Sequence, residues 1–149
     1  VQAGVVFMPV TGKLYAAHRG GRATLGGVEI SARDREAASG ADVLMNKAAL
    51  KSSRWRGPPP AITPHFRPSL AYRFCLVAEG RFDACVTLRS AWEWDTAAGA
   101  LIAEAAGARV SDANGAPLTY NQPDARHKGL LMAGPKLHAA FLSHLSDPV

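Results

Sequence analysis

With 149 residues, 48% of them hydrophobic and 19% charged, the chain can bury one core of ordinary size and is too apolar to be disordered. Its formal net charge of +5 raises nucleic acid as a partner, but the basic residues are scattered from Arg19 through Arg73 and onward, with no run and few interleaved aromatics; a small anionic substrate accounts for the balance. No apolar run nears the roughly 18 residues that span a bilayer, so neither a signal peptide nor a membrane partner is expected, and the location is expected to be cytoplasmic.

Residues from about 2 to 30 alternate apolar runs with turns. Val5 to Pro9, a Thr11-Gly12 turn, Leu14 to Ala17, then Gly20-Gly21 and Gly26-Gly27 around Ala23-Thr24-Leu25 predict an antiparallel meander. Between about 31 and 66 the pattern weakens: Ala41, Val43, Leu44, Ala48 and Leu50 suit either a strand or a short helix, and Gly57-Pro58-Pro59-Pro60 marks a loop. The remainder reads as αβαβ. Ser69 to Glu79 is predicted helical, with Leu70, Phe74 and Val77 on a wide apolar stripe, and Phe82 to Leu88 is predicted as a strand. A helix over Thr96–Ala106 follows, then strands over Ala108–Asp112 and Gly129–Ala133 with a turn at Asn114-Gly115, and a last helix over Pro135–Leu145 with proline in its first turn. Cys75 and Cys85 fall in apolar segments without metal-ligand companions, which predicts buried thiols rather than a redox pair. His18, His65, His127, His138 and His144 are too dispersed to form a ligand set.

The segment with most chemistry in it is Trp94-Asp95-Thr96-Ala97-Ala98-Gly99, which runs on to Glu104-Ala105-Ala106-Gly107. Asp95 precedes an apolar helical run and is expected as its N-cap. Ala97, Ala98 and Gly99 would leave that helix end bare, so that a substrate anion could approach backbone N–H groups where the helix dipole favours negative charge. A hard cation such as Mg²⁺ wants oxygen from one or two carboxylates plus the phosphate, and Asp95 could supply one; a plain helix cap is the alternative use of the same carboxylate.

The string Trp94-Asp95, Ala97-Ala98-Gly99, Leu101-Ile102 and Glu104-Ala105-Ala106-Gly107 resembles the C-terminal signature of the inositol monophosphatase family, the Mg²⁺-dependent, Li⁺-sensitive sugar-phosphate and nucleotide phosphatases. Ala106 departs from the glycine usual there. Upstream, Ser69 to Ala84 is similar to the family's Ser- and Lys-containing helix and the strand after it, and downstream Val110 to Leu118 is similar to its closing hairpin. The resemblance implies an α/β protein of α+β sandwich type, the C-terminal half of the layered αβαβα sugar-phosphatase fold. Residues 1–35 would be the last strands of an N-terminal antiparallel sheet domain and residues 36–149 the C-terminal α/β domain.

It also implies what lies elsewhere. The family's principal metal ligands and the residue that orients the attacking water come from a Glu and an Asp-Pro-x-Asp-Gly-Thr segment, which these residues lack. The Asp147-Pro148 pair at the C-terminus cannot serve. The expectation is therefore a fragment, inactive alone. Asp95 is the expected Mg²⁺ ligand, with Thr96 and Ala97 offering backbone N–H groups to substrate. Ser69 and Arg73 correspond to the Ser and Lys that touch the leaving group in nucleotide-type members, Ser69 being equally placed to cap its helix. Glu93 would contact substrate hydroxyls or bond within its loop, and Arg89 would pair with a second phosphate or be solvated. Ser52-Ser53-Arg54 is the nearest match to a Ser-Arg-Ser segment that the family carries on a strand near this point. Inositol-preferring relatives place a Glu before the Trp-Asp pair, where this chain has Thr87-Leu88-Arg89-Ser90. That leans toward the bacterial 3′(2′),5′-bisphosphate nucleotidases, with an inositol or sugar phosphatase, or a non-catalytic nucleotide-binding or subunit-interaction module, as alternatives. A small phosphorylated substrate and a homodimer are the expected partners, with no nucleic acid.

Overall fold

The computed structural model describes residues 1–146, and the Asp147-Pro148 pair lies outside the described residues. The predicted meander forms as a four-stranded antiparallel sheet in the order β1 (Ala3–Met8), β2 (Lys13–His18), β3 (Thr24–Leu25), β4 (Val28–Glu29). A short 3-10 turn over Pro9–Thr11 joins the first two strands, and Gly12 closes it at φ 64°, a left-handed conformation that glycine adopts without a Cβ clash. Alternation sorts the faces: Val6, Met8, Tyr15 and Ala17 pack inward, whereas Val5, Phe7 and Leu14 remain exposed.

The second sheet has five strands. β5 (Asp42–Leu44) lies between β6 (Thr63–His65) and β7 (Ala84–Thr87) and is parallel to both. β8 (Ala91–Trp92) pairs instead with β10 (Arg126–His127) in a small ladder. β9 (Arg109–Ser111) and β7 flank β11 (Leu130–Ala133), antiparallel on either side. Helices α1 (Leu70–Ala78) and α2 (Glu93–Ala105) pack on each other between the two sheets, and α3 (Pro135–His144) covers the far face of the five-stranded one. The layers thus run sheet, helices, sheet, helix.

Burial on both faces explains why the central strands read as unbroken apolar runs. Along β7 and β11 the side chains alternate, Cys85, Leu130 and Met132 entering the core beneath α1 and α2, and Ala84, Val86, Leu131 and Ala133 the core beneath α3. The cysteines are free and buried, and burial pushes both thiols up to about 12, away from reactive thiolate.

One ambiguity is resolved and two expectations need correction. The ambiguous stretch before residue 52 contains both options, the strand β5 and then a 3-10 helix over Lys47–Lys51 capped by the Asn46 side chain. Ser52-Ser53-Arg54 does not lie on a strand: Ser52 ends that 3-10 helix, and Arg54 turns away to bond the Ala113 and Ser146 carbonyls and the Asn114 side chain. Val110–Leu118 is not a hairpin of its own. β9 pairs with β11, and the segment after it is a turn in which Asp112 Oδ1 accepts from the N–H groups of Asn114 and Ala116.

Candidate active site

The site is built on the first turn of α2, which starts earlier than expected. β8 is held in register by β10 and its last residue, Trp92, runs directly into the helix as its N-cap, so Glu93 opens α2 and Asp95 is its third residue, not the cap. Asp95 is exposed in that first turn, where the helix dipole favours an anion or carboxylate. The shift also changes which amides are free. By helix geometry the Thr96 and Ala97 N–H groups enter the internal ladder. The Glu93 N–H is taken by the Ala125 carbonyl at 3.0 Å, and among the described residues the N–H groups of Trp94 and Asp95 have no partner outside the helix.

Glu93 is buried, and each carboxylate oxygen accepts a backbone N–H, Oε2 from Asn121 at 2.7 Å and Oε1 from Gln122 at 3.1 Å. The expected bonding within its own loop is corrected: Glu93 opens α2, and its carboxylate ties the helix to a segment 28 and 29 residues downstream. Thr96 is fully buried, and its hydroxyl donates to the Glu93 carbonyl.

The run of small residues answers to packing more than to anion approach. A Cβ on Gly99 would sit 2.9 Å from Phe74 Cβ on α1, and a Cβ on Gly4 of β1 would sit 2.8 Å from the Ala98 carbonyl oxygen. Gly99 therefore sets the spacing of α1 and α2, and Ala98 abuts β1. Ala97 faces a cavity of about 470 Å³ on the far flank of the helix, lined also by His18, Arg19, Glu104 and Tyr120. Burial raises the Glu104 carboxyl above its ordinary range.

A second cavity, about 420 Å³, opens where the parallel strands β5 and β7 end, lined by Asn46, Phe66, Arg73, Thr87, Leu88 and Arg89 among others. Clefts at the carboxyl ends of parallel strands are the usual ligand position in such sheets. Arg73 is held there by its Nε–H bond to the Arg67 carbonyl, 2.6 Å, and by the Phe66 ring, 4.7 Å from the guanidinium. Its terminal nitrogens carry further donors for an anion. Ser69 caps α1, accepting from the Tyr72 N–H at φ 63°, and does not line this cavity. The residues between Arg89 and Asp95 lead from the cavity through β8 into α2. Asn46, Phe66 and Thr87 were missed in the sequence because they reach the cavity through strand order.

No group of three or more His, Cys, Asp or Glu suited to a metal occurs among the described residues. Asp95 at a helix N-terminus is a donor of the right chemistry for Mg²⁺, and one carboxylate is a partial set.

The inositol monophosphatase family model matches residues 1–147. The chain belongs to the inositol monophosphatase family. This bears out the resemblance carried by Trp94 to Gly107. A 3′-phosphoadenosine 5′-phosphate phosphatase of Mycobacterium bovis is 33% identical over 99 residues, which are 60% of this chain and 37% of that protein. The 3′(2′),5′-bisphosphate nucleotidase CysQ of Escherichia coli K12 is 50% identical over 48 residues, 32% of this chain and 20% of that protein. The 2′AMP-bound structure of a staphylococcal inositol monophosphatase, SaIMPase-II, superposes with a TM-score of 0.81 at 22% identity, over 97% of this chain and 56% of that one. The fold is thus that of the family, and the chain spans little more than half of its structural relative's length.

Proposed function

We propose that this chain supplies the substrate-binding side of a Mg²⁺-dependent phosphatase that removes the 3′(2′)-phosphate from a nucleoside bisphosphate. The observation that carries the nucleotide reading is the cavity beside β5 and β7, whose ionisable lining among the described residues consists of two cations, Arg73 and Arg89, with no carboxylate. Such a lining suits a second phosphate, which guanidinium groups bind through paired N–H donors, better than a ring of hydroxyls that an acid would recognise. The names of the mycobacterial and Escherichia coli relatives support the same substrate class.

In this reading Asp95 holds the cation, which when bound activates water and neutralises charge on the transferring phosphoryl oxygens. The free N–H groups of Trp94 and Asp95 would orient the scissile phosphate and stabilise charge developing on it. Arg73 and Arg89 would hold the far end of the nucleotide, and Glu93 keeps residues 121–122 against the helix. One carboxylate cannot hold a catalytic cation cluster, so the 149-residue chain alone is expected to be inactive. Li⁺ inhibition, a homodimer and a cytoplasmic location complete the proposal.

The test compares hydrolysis of adenosine 3′,5′-bisphosphate and inositol 1-phosphate by the protein encoded by the whole reading frame that contains this chain. Preference for the bisphosphate, lowered about tenfold or more by Arg89→Ala through loss of a charge-assisted contact, is the expected result. Equal rates on the two substrates, unchanged by Arg89→Ala, would overturn it.

A further inference from the structure

Residues 112–129, the excursion between β9 and β11, are fastened to the first turn of α2 at several points. β10 pairs with β8, Arg126 opposite Trp92 and His127 opposite Ala91. The Ala125 carbonyl takes the Glu93 N–H, and the Glu93 carboxylate takes the N–H groups of Asn121 and Gln122. The remaining fastening is His127, 7% exposed, whose Nε2 lies 3.1 Å from Thr96 Oγ1. The proposed chemistry makes no use of this imidazole.

The direction of that bond is assigned from the other bond that Thr96 makes. The Thr96 hydroxyl has one proton and gives it to the Glu93 carbonyl oxygen, 2.9 Å away. Its oxygen can then only accept, so Nε2 is the protonated nitrogen of His127. Burial, the larger effect, depresses the imidazole below its ordinary range against the pull of Glu93 and Asp112, which leaves the ring neutral. The Nε2–H is present in either charge state, so the contact survives protonation. The Tyr120 ring stands edge-on to His127 at 5.3 Å, and its buried hydroxyl has no partner among the described residues.

A helical threonine otherwise divides between two χ1 rotamers. The Glu93 carbonyl and His127 hold the Thr96 hydroxyl in one of them from two sides, at the residue directly after Asp95. We propose that His127 is a positioning residue for Asp95: its Nε2–H, acting through the Thr96 hydroxyl, fixes the first turn of α2 and with it the Asp95 carboxylate and the free N–H groups of Trp94 and Asp95. The functional weight of this proposal rests on the reading of Asp95 as the cation ligand. Hydrogen bonds one step behind a ligand are worth about 10- to 100-fold in metal affinity where they orient it.

The experiment uses the protein encoded by the whole reading frame that contains this chain, with His127→Leu, His127→Gln, Thr96→Val and Asp95→Asn. Backbone ¹⁵N order parameters at Trp94 and Asp95 report the helix turn without any metal, and Tb³⁺ luminescence sensitised by the neighbouring Trp94 reports cation affinity. His127→Leu is expected to lower both order parameters and to weaken Tb³⁺ about tenfold. His127→Gln, which keeps an N–H donor, is expected to retain both. If His127→Leu does not fold, Thr96→Val takes its place with the same expectation, since it removes only the linking hydroxyl. A lower melting temperature with order and affinity unchanged would make His127 a residue of the fold and overturn the proposal. Tb³⁺ binding that Asp95→Asn leaves intact would instead overturn the cation-ligand reading, and the order parameters would still decide for or against the positioning of the turn.

Discussion

Acidification should destabilise the chain through His138, and the size of the effect follows from where α3 packs. His138 is 1% exposed, and its Nε2 lies 2.8 Å from Ser111 Oγ on β9. The Ser111 hydroxyl donates to the Asp112 carbonyl, so the imidazole donates to it through Nε2–H. Burial, reinforced by the Arg109 charge, pushes His138 down to about 4. The folded-state value lies below that of the unfolded chain, near 6.5, so between the two the unfolded chain binds more protons. Stability is therefore fully present above about pH 6.5, falls as pH drops through the window, and has lost its His138 contribution below about 4. A shift of that width is worth about 3 kcal/mol, at about 1.4 kcal/mol per unit. Urea unfolding near neutral pH and near the folded-state value measures it, and His138→Gln supplies the reference because glutamine can donate to Ser111 but cannot titrate. The wild-type chain should lose about 3 kcal/mol more than His138→Gln over this span. Equal losses in the two proteins would refute the assignment of the buried neutral imidazole.

Three further substitutions, one of them a control, test the packing that carries the site. Glu79→Ala leaves the ammonium of Lys13 and the hydroxyl of Tyr15 without the carboxylate that both contact at 2.9 Å, and should cost about 1–3 kcal/mol in a urea melt, as for partly buried donors left without their acceptor. Gly99→Ala drives a methyl into Phe74, so despite alanine's helix propensity it should destabilise by about 1–2 kcal/mol, whereas Gly107→Ala, where no atom lies within contact distance, is limited by its φ of 87° alone. A thermal melt in which Gly99→Ala equals or exceeds the wild type would show that α1 and α2 can separate without cost.

Much of the fold could be read because local pattern and tertiary need agree. The meander is marked by Gly12 and by alternation along β2, and α1 by its stripe and the Ser69 cap, so periodicity alone placed them. The site was less legible. Asp95 looks like a cap because capping residues precede apolar runs, but β10 pulls β8 into a ladder that feeds the helix from Trp92, and a long-range pairing of this kind leaves no mark near residue 95. The Ala-Ala-Gly run carries a similar ambiguity. Small residues at a helix N-terminus suit an approaching anion, yet here Gly99 meets Phe74 and Ala98 meets Gly4, contacts set by layers that sequence spacing does not reveal.

These two corrections bear on the same turn and point in one direction. If small residues and a cap made the anion site, its geometry would be a local property of Asp95 to Gly99, and substitutions far along the chain would leave it alone. The structure divides the labour otherwise. Gly99 and Ala98 seat the body of α2 against α1 and β1, while residues 120–127, some thirty positions downstream, hold its first turn through Ala125, Glu93 and His127. The free N–H groups and the Asp95 carboxylate then emerge at the end of a helix whose position and whose opening turn are fixed by different layers. The order of that turn should accordingly depend on the 112–129 excursion, and the order of the helix body on the α1 contact.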